Sequence, residues 1–497
     1  MINNNLKDFL VEYNEVLSKA VLEHKGKFAA LASPTLNKQE VVTFLYEDVI
    51  KYINAPSDTV KKEKVFILYL KFIARLIFLL LHLLRDSRRF RIHSLPKGCL
   101  YIRTWLVPRS IKNGIVKDDY FRQLIGDLHK SHNIVVGFQS LGYGRLLNEF
   151  LKAKKPPNYI IPIGLLSSVD ILCIFFEYIT TAKIQLKNDY LFKGKNINEI
   201  INNSLNSDYY NLHSFQAYLE LYIAKKIKKY KPEIFLYMFE NQAWENAYLS
   251  VFKNVAIKTI GYQSSGFSFR FLNFFPTKLD SQISLFPDKL LTVGDLYTKI
   301  LKDYAHYPIP IQTFAALRFD YPSSNSKYLI EEPIKKIHNR ILYAFAVHRY
   351  QYEKIINDLV DVFGNTDIEV YLKFHPLYNE KTINVKLPNN FKIIKLIQMN
   401  LLRDTYDIVL FNDSSFGVEA LMAGVKSFEY EIESVYDETR MFQFNLYINK
   451  LKKDDLNAIK ESISNGTIKK KFSVKNAKEY VNNFYKVYGD PEPILTA

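Results

Sequence analysis

A histidine fixed by the proline after it, His375-Pro376, and a pair of adjacent hydroxyls, Ser414 and Ser415, have the chemistry to hold a phosphorylated ligand. Hydroxyls at a helix start sit beside unsatisfied N–H groups and the positive end of the helix dipole, where anions bind. Asp413 or Ser414 would cap that helix. Glu419 lies one helical turn beyond Ser415 on the same face, where its carboxylate would reach a ribose hydroxyl. The His375 imidazole would donate a further hydrogen bond to phosphate. Together these groups predict a cradle for a nucleotide mono- or diphosphate that uses no glycine-rich loop. The competing reading is structural, with a histidine at a strand end and an ordinary serine helix cap.

The elements that must position them are legible from pattern. Residues 369–374 (EVYLKF) and 406–411 (YDIVLF) are short apolar runs that end in polar turns. A helix over 416–423, closed by Gly424, follows the second. Such runs alternating with helices predict parallel strands of an α/β domain, in which ligands bind beyond the carboxyl ends. Lys373 stands two residues before His375, and strand alternation leaves its direction open. Upstream, the same alternation starts at Leu100, with strands at 100–106, 133–138, 160–166, 233–239, 256–262, 289–294 and 312–317. Glu240 follows the 233–239 strand, and Trp244 and Glu245 open the helix after it. Asp118 and Asp119 begin a helix after the 107–117 loop, where capping competes with acid/base chemistry as their role. Gln263, Ser264 and Ser265 line a polar loop between Gly261 and Gly266.

The pair HP at 375–376 and the pattern SS…E at 414–419 resemble the donor half of bacterial GT-B glycosyltransferases that use CMP-activated acids. These are the sialyltransferase-like and Kdo-transferase-like enzymes of capsule and lipopolysaccharide assembly. FENQAWENAYL (239–249) and IGYQSSG (260–266) resemble segments of surface-carbohydrate biosynthesis proteins in that group, and the likeness spans roughly 95–430. It implies two Rossmann-like domains facing a cleft and transfer of an acidic sugar, a nonulosonate or Kdo, from a CMP donor to a glycan or lipid-linked glycan acceptor. Donor binding would fall to His375, Pro376, Ser414, Ser415 and Glu419, with Arg318, His348 and Lys373 as cations toward the donor. Glu240, Asp119 and Asp118 would be the catalytic carboxylates, and Trp244, Glu245, Gln263 and Ser264 the acceptor contacts. Related sequences often read GYQH where this chain has Ser264, so the histidine's catalytic role is not carried over to that position. A UDP- or GDP-sugar or CDP-glycerol donor, or a non-catalytic carbohydrate-assembly partner, are the rival readings. No cofactor is expected: no histidine, aspartate or glutamate spacing matches a metal motif, and no DxD is present where one would serve.

A chain of 497 residues exceeds a single core. The pattern divides it into an N-terminal helical region (1–95), a first Rossmann-like domain (96–330), a second (331–470) and a tail helix (471–497). The Pro- and Ser-rich stretch 320–336 is the expected linker, and the tail, helical from about Val474 to Tyr488, is expected to pack back on the first domain. At 48% hydrophobic and 24% charged the composition is that of a folded protein, not a disordered one. Two cysteines, Cys99 and Cys173, make no disulfide framework. The net charge of +16 calls for an anionic partner. Its lysines are dispersed and no nucleic-acid module is present, which favours lipid and an anionic substrate over nucleic acid.

Residues 61–92 combine both signals. On a helix, Lys64, Lys71, Arg75, His82 and Arg89 fall within about 40° of one another, on an otherwise apolar surface. Two internal cations argue against a spanning helix and predict one lying in an anionic membrane surface, with Arg85, Arg88 and Arg91 reinforcing it. A buried helix with a solvent-facing polar stripe is the alternative. With no apolar signal-peptide core at the start, the expected location is cytoplasmic, peripheral on the inner face of the cytoplasmic membrane.

Overall fold

The computed structural model describes residues 3–39, 43, 45–54, 65–140, 144–267, 271–318, 338–346, 351–375, 384–395, 397, 401–412, 414–432, 450–465 and 474–496. The chain forms two compact units. One comprises Leu10–Ser265, Phe271–Asp320 and Lys486–Ala497, and the other is built on Tyr321–Tyr485.

The first unit contains strands β1 (Leu100–Leu106), β4 (Ile134–Ser140), β5 (Tyr159–Ile160), β8 (Ile234–Met238), β9 (Lys258–Gln263), β10 (Lys289–Thr292) and β11 (Ile311–Thr313). Two small hairpins, β2 (Ile111–Lys112) with β3 (Ile115–Val116) and β6 (Leu191–Phe192) with β7 (Lys195–Asn196), interrupt the series. The sheet order is β5-β4-β1-β8-β9-β10-β11, every pair parallel. All seven residues of β1 are buried, as befits a parallel strand covered by helices on both faces. The expected strand at 160–166 stops after Ile160, because Pro162 begins a 3-10 turn over Pro162–Leu165. The helix expected over 118–131 is only Gln123–Leu128.

The second unit contains β12 (Arg340–Ala344), β13 (Glu369–Lys373), β14 (Phe391–Ile393), β15 (Ile408–Phe411), β16 (Lys426–Tyr430) and β17 (Lys450–Leu451). They pair in parallel in the order β14-β13-β12-β15-β16-β17. Ile341, Tyr343, Val370, Leu372, Ile408 and Leu410 meet Ile355, Ile356 and Leu359 of helix Tyr352–Phe363 in its core.

Counted along the chain, each sheet begins in its middle, adds its second and third strands on one side and the fourth onward on the other. Both sheets are therefore Rossmann-like, one in each unit. In each, the winding reverses between the first and fourth strands, β1 with β8 and β12 with β15, where open α/β sheets bind ligands.

Two expected boundaries differ. Helix residues from Leu10 to Glu23 belong to the first unit and are tied to it by a buried polar node. Lys38 Nζ lies 2.5 Å from Asp280 Oδ2 and 2.5 Å from Asn14 Oδ1, with Ser18 Oγ at 2.7 Å. The tail also differs. Helix Val474–Phe484 packs in the second unit against helix Ser415–Met422, and only from Lys486 does the chain join the first. There Lys486 N–H donates to the Val293 carbonyl, 2.8 Å, and Ala316 N–H donates to the Lys486 carbonyl, 2.8 Å. The expected linker, 320–336, lies outside the described residues.

Candidate active site

Glu240 follows β8 and is held from several sides. Its backbone N–H donates to Glu245 Oε1 (2.8 Å), and its carbonyl accepts from the Asn273 side-chain amide (2.5 Å). Asn241, next in the chain, sits in the left-handed region at φ 50°, and its amide donates to the Asn273 carbonyl at 2.6 Å. A second relay fixes the carboxylate. Trp244 Nε1–H donates to Gln242 Oε1 (2.9 Å), so the Gln242 amide nitrogen is turned toward Glu240 Oε2, 2.5 Å away. Burial pushes the Glu240 carboxyl above its ordinary value, while the charges of Arg103 and Arg318 and hydrogen bonds from Gln242 and Ser265 pull it back. The result is a half-buried carboxylate held in one orientation, with its pKa raised by burial.

Around it stand groups that pattern alone did not single out. Arg103, central in β1 and fully buried, lies 2.9 Å from Glu220 and stacks between Trp244 (3.5 Å) and Trp105 (4.0 Å). Tyr120, whose hydroxyl is pushed up by burial, has the Arg318 guanidinium 5.5 Å from its ring centroid. A charged residue in the middle of the apolar run LYIRTWL was the available signal for Arg103. Nothing local marks Tyr120, Gln242 or Asn273.

Other expected residues are occupied differently. Trp244 is 3% exposed, and with Arg103 over one face its ring is not an open sugar platform. Glu245, expected as an acceptor contact, is buried, and its Oε1 caps a helix by accepting the N–H groups of Glu240 and Gln242. Gln263 is wholly buried: its amide donates to the Ser265 carbonyl, and its Oε1 accepts from Val293 N–H. Ser264 is buried at the end of β9. Asp118 Oδ1 accepts the backbone N–H groups of Tyr120 and Phe121, closing a turn, and burial raises its pKa. Asp119 is paired with Arg109 at 3.1 Å and Arg122 at 3.3 Å. Arg318, expected beside a donor, lies in the first unit with Tyr120 and Glu240.

In the second unit, Ser414 is the N-cap of helix Ser415–Met422, its Oγ accepting from Phe416 N–H at 3.3 Å. Asn412, buried at the end of β15, accepts from the Tyr343 hydroxyl (3.1 Å) and donates to Gln351 (2.6 Å). Lys373, at the end of β13, extends its ammonium to 4.9 Å from the Phe416 ring centroid. That contact brings the β13 end and the serine turn together across β12. His375, two residues past β13, and Ser415 and Glu419 on the helix are all half-buried. Gly417 has a packing reason: a Cβ there would lie 2.4 Å from the Phe411 ring. Pro376, Asp413 and His348 lie outside the described residues. Among the described residues no group of three or more His, Cys, Asp or Glu is arranged to hold a metal ion.

No family model matches the chain, and no curated protein does. Among solved structures, the glycotransferase of kitacinnamycin is 11% identical, covering 78% of this chain and 95% of its own, with a TM-score of 0.41. The glycosyltransferase SnogD from Streptomyces nogalater is also 11% identical, covering 81% and 98%, at 0.40. UDP-GlcNAc 2-epimerase from Neisseria meningitidis, bound to UDP-GlcNAc, is 12% identical, covering 80% and 100%, at 0.40.

Proposed function

We propose that the chain is a glycosyltransferase that takes a nucleotide-activated sugar, with the nucleotide on the second Rossmann-like unit and Glu240 as acid/base group in the first. One observation carries this reading. In each sheet the chemistry-bearing turns fall at the strand pair where the winding reverses: Glu240 after β8, and the serine turn after β15. The acceptor hydroxyl attacks the anomeric carbon, its proton passes to Glu240, and the bond from that carbon to the phosphate oxygen breaks. Charge on the leaving nucleotide is met by His375, the Ser414–Ser415 helix start and Lys373. The finer reading is a CMP-activated acidic sugar moved to a surface glycan or lipid-linked acceptor without a metal. It rests on His375, Ser414, Ser415 and Glu419, the described residues of the HP and SS…E patterns, which follow β13 and β15.

Calorimetric titration with CMP, UMP, dTMP, GMP and UDP tests both levels. We expect CMP to bind tightest, and His375→Ala and Ser415→Ala to weaken it by about 10- to 150-fold, the loss of one hydrogen bond to a charged group. Tightest binding of UDP would replace the CMP donor by a nucleotide-diphosphate sugar. If the folded protein binds no nucleotide, the non-catalytic carbohydrate-assembly reading takes its place. Turnover that collapses in EDTA and returns with a divalent cation would overturn metal independence.

A further inference from the structure

Helix Val65–Arg89 buries only part of its apolar surface. Taking about 100° per residue from Lys64, its residues sort into three faces. Phe72, Leu76, Leu79 and Leu83, at roughly 60–120°, are buried against the first unit. There Phe72 packs on Tyr209, ring centroids 4.9 Å apart, and Arg75 donates to the Tyr210 carbonyl at 3.3 Å. Ile67, Leu70, Ile73, Ile77, Phe78 and Leu81, at roughly 180–320°, are exposed, Phe78 by 60% and Leu81 by 61%. Lys71, Arg75, His82 and Arg89 lie near 0°, on the boundary between those two faces.

A second helix, not marked by the sequence reading as a surface element, repeats the pattern. Ser168–Thr181 packs against Val65–Arg89 and buries Ile171, Ile174, Phe175 and Tyr178. On its other face Val169, Leu172, Phe176 and Ile179 are exposed, Phe176 by 72%, at spacings of three and four residues. Two adjoining helices thus turn apolar faces outward, an arrangement that marks an interaction site.

We infer that these two helices together form a docking face for an anionic bilayer, lying in its surface as a pair. Charge decides the occupant. Arg85, Arg88, Arg89 and Arg91 are all exposed at the end of the first helix, whose one acid, Asp86, is buried and paired with Arg85 at 2.9 Å. Basic residues bordering an exposed apolar helix suit lipid headgroups above acyl chains. The length and composition of Ile67–Arg89 would also allow a span. Its row of residues packed on the folded unit opposes that, since a spanning helix would have to carry the unit's side into hydrocarbon.

The full chain supplies its own probe. Cys173 is exposed on the outer face of the second helix, while Cys99, the other cysteine, is fully buried. An environment-sensitive fluorophore on Cys173 should shift to the blue with vesicles of 30% phosphatidylserine in phosphatidylcholine, and much less with phosphatidylcholine alone. Half a molar salt should weaken binding by tenfold or more. Unlabelled Leu172→Ser/Phe176→Ser and Phe78→Ser/Leu81→Ser should each lose roughly tenfold or more in vesicle sedimentation with unchanged thermal unfolding. Parent-like sedimentation of the Leu172→Ser/Phe176→Ser variant would remove the second helix from the face. A parent dimer that these variants dissociate would assign the face to a second copy. Association that ignores salt and resists alkaline carbonate would mean that the first helix crosses the bilayer.

Discussion

Glu240 is fixed at its N–H, its carbonyl and its carboxylate by three different residues, which is more than a capping acid at a strand end requires. Glu240→Gln, nearly isosteric, should keep nucleotide affinity while turnover falls by roughly 10²–10⁴. The pH profile carries the sign. Burial holds the carboxyl above its ordinary value, and a base must be ionised to act. The acid limb of kcat/KM should therefore lie above the ordinary glutamate range, rise with pH through the raised pKa, and vanish in Glu240→Gln. Asp119→Asn is the comparison. It loosens a cluster with Arg109 and Arg122, so it should lower thermal stability and leave the pH profile in place. A normal Glu240→Gln beside an inactive but folded Asp119→Asn would exchange their roles.

At the scale of elements, the serine turn depends on how closely helix Ser415–Met422 lies on β15. Gly417 faces the Phe411 ring, and an alanine methyl would have to displace it. Gly417→Ala touches no ligand group, yet should cost about 1–3 kcal/mol of stability as overpacking, and should weaken nucleotide binding by shifting the helix start. Urea unfolding followed by circular dichroism, with titration of the folded variant, separates the two effects. Full affinity despite lost stability would show that the turn does not rely on this packing.

For the whole molecule, the buried Lys38–Asp280 pair ties the N-terminal segment to the short helix Asp280–Ile283 of the first unit. Burial pulls the Lys38 pKa down, with Asp280 opposing it, so removing the partner leaves a cation in a site that disfavours it. Asp280→Asn should destabilise the first unit by about 3–5 kcal/mol, and Lys38→Met in the same chain should recover part of that loss. Trp105 and Trp244, the only tryptophans, both lie in the first unit, so their fluorescence during urea unfolding reports it selectively. A cost below about 1 kcal/mol would mean that the helices are held by apolar contact alone.

What the sequence determined by itself was the alternation. Runs such as LYIRTWL, EIFLYMF and DIVLF are short, apolar and bounded by turns, and their alternation with helices predicts two Rossmann-like domains with polar turns at the strand ends. Because those turns are local, Glu240 and Ser414 could be found at their positions from spacing. What only the tertiary structure decided was which polar groups spend their hydrogen bonds on the protein. Glu245 and Trp244 look like ligand contacts until Glu245 is seen capping a helix and Trp244 covering Arg103. Likewise, only the packing of helix Ser168–Thr181 decides that Ile171, Ile174 and Phe175 are buried while Phe176 is left outward. The Glu245 bonds are a local cap over three and five residues, whereas the Arg103–Glu220 pair joins positions more than a hundred residues apart. Local periodicity carries no information about such long-range partners or about which helix faces stay exposed.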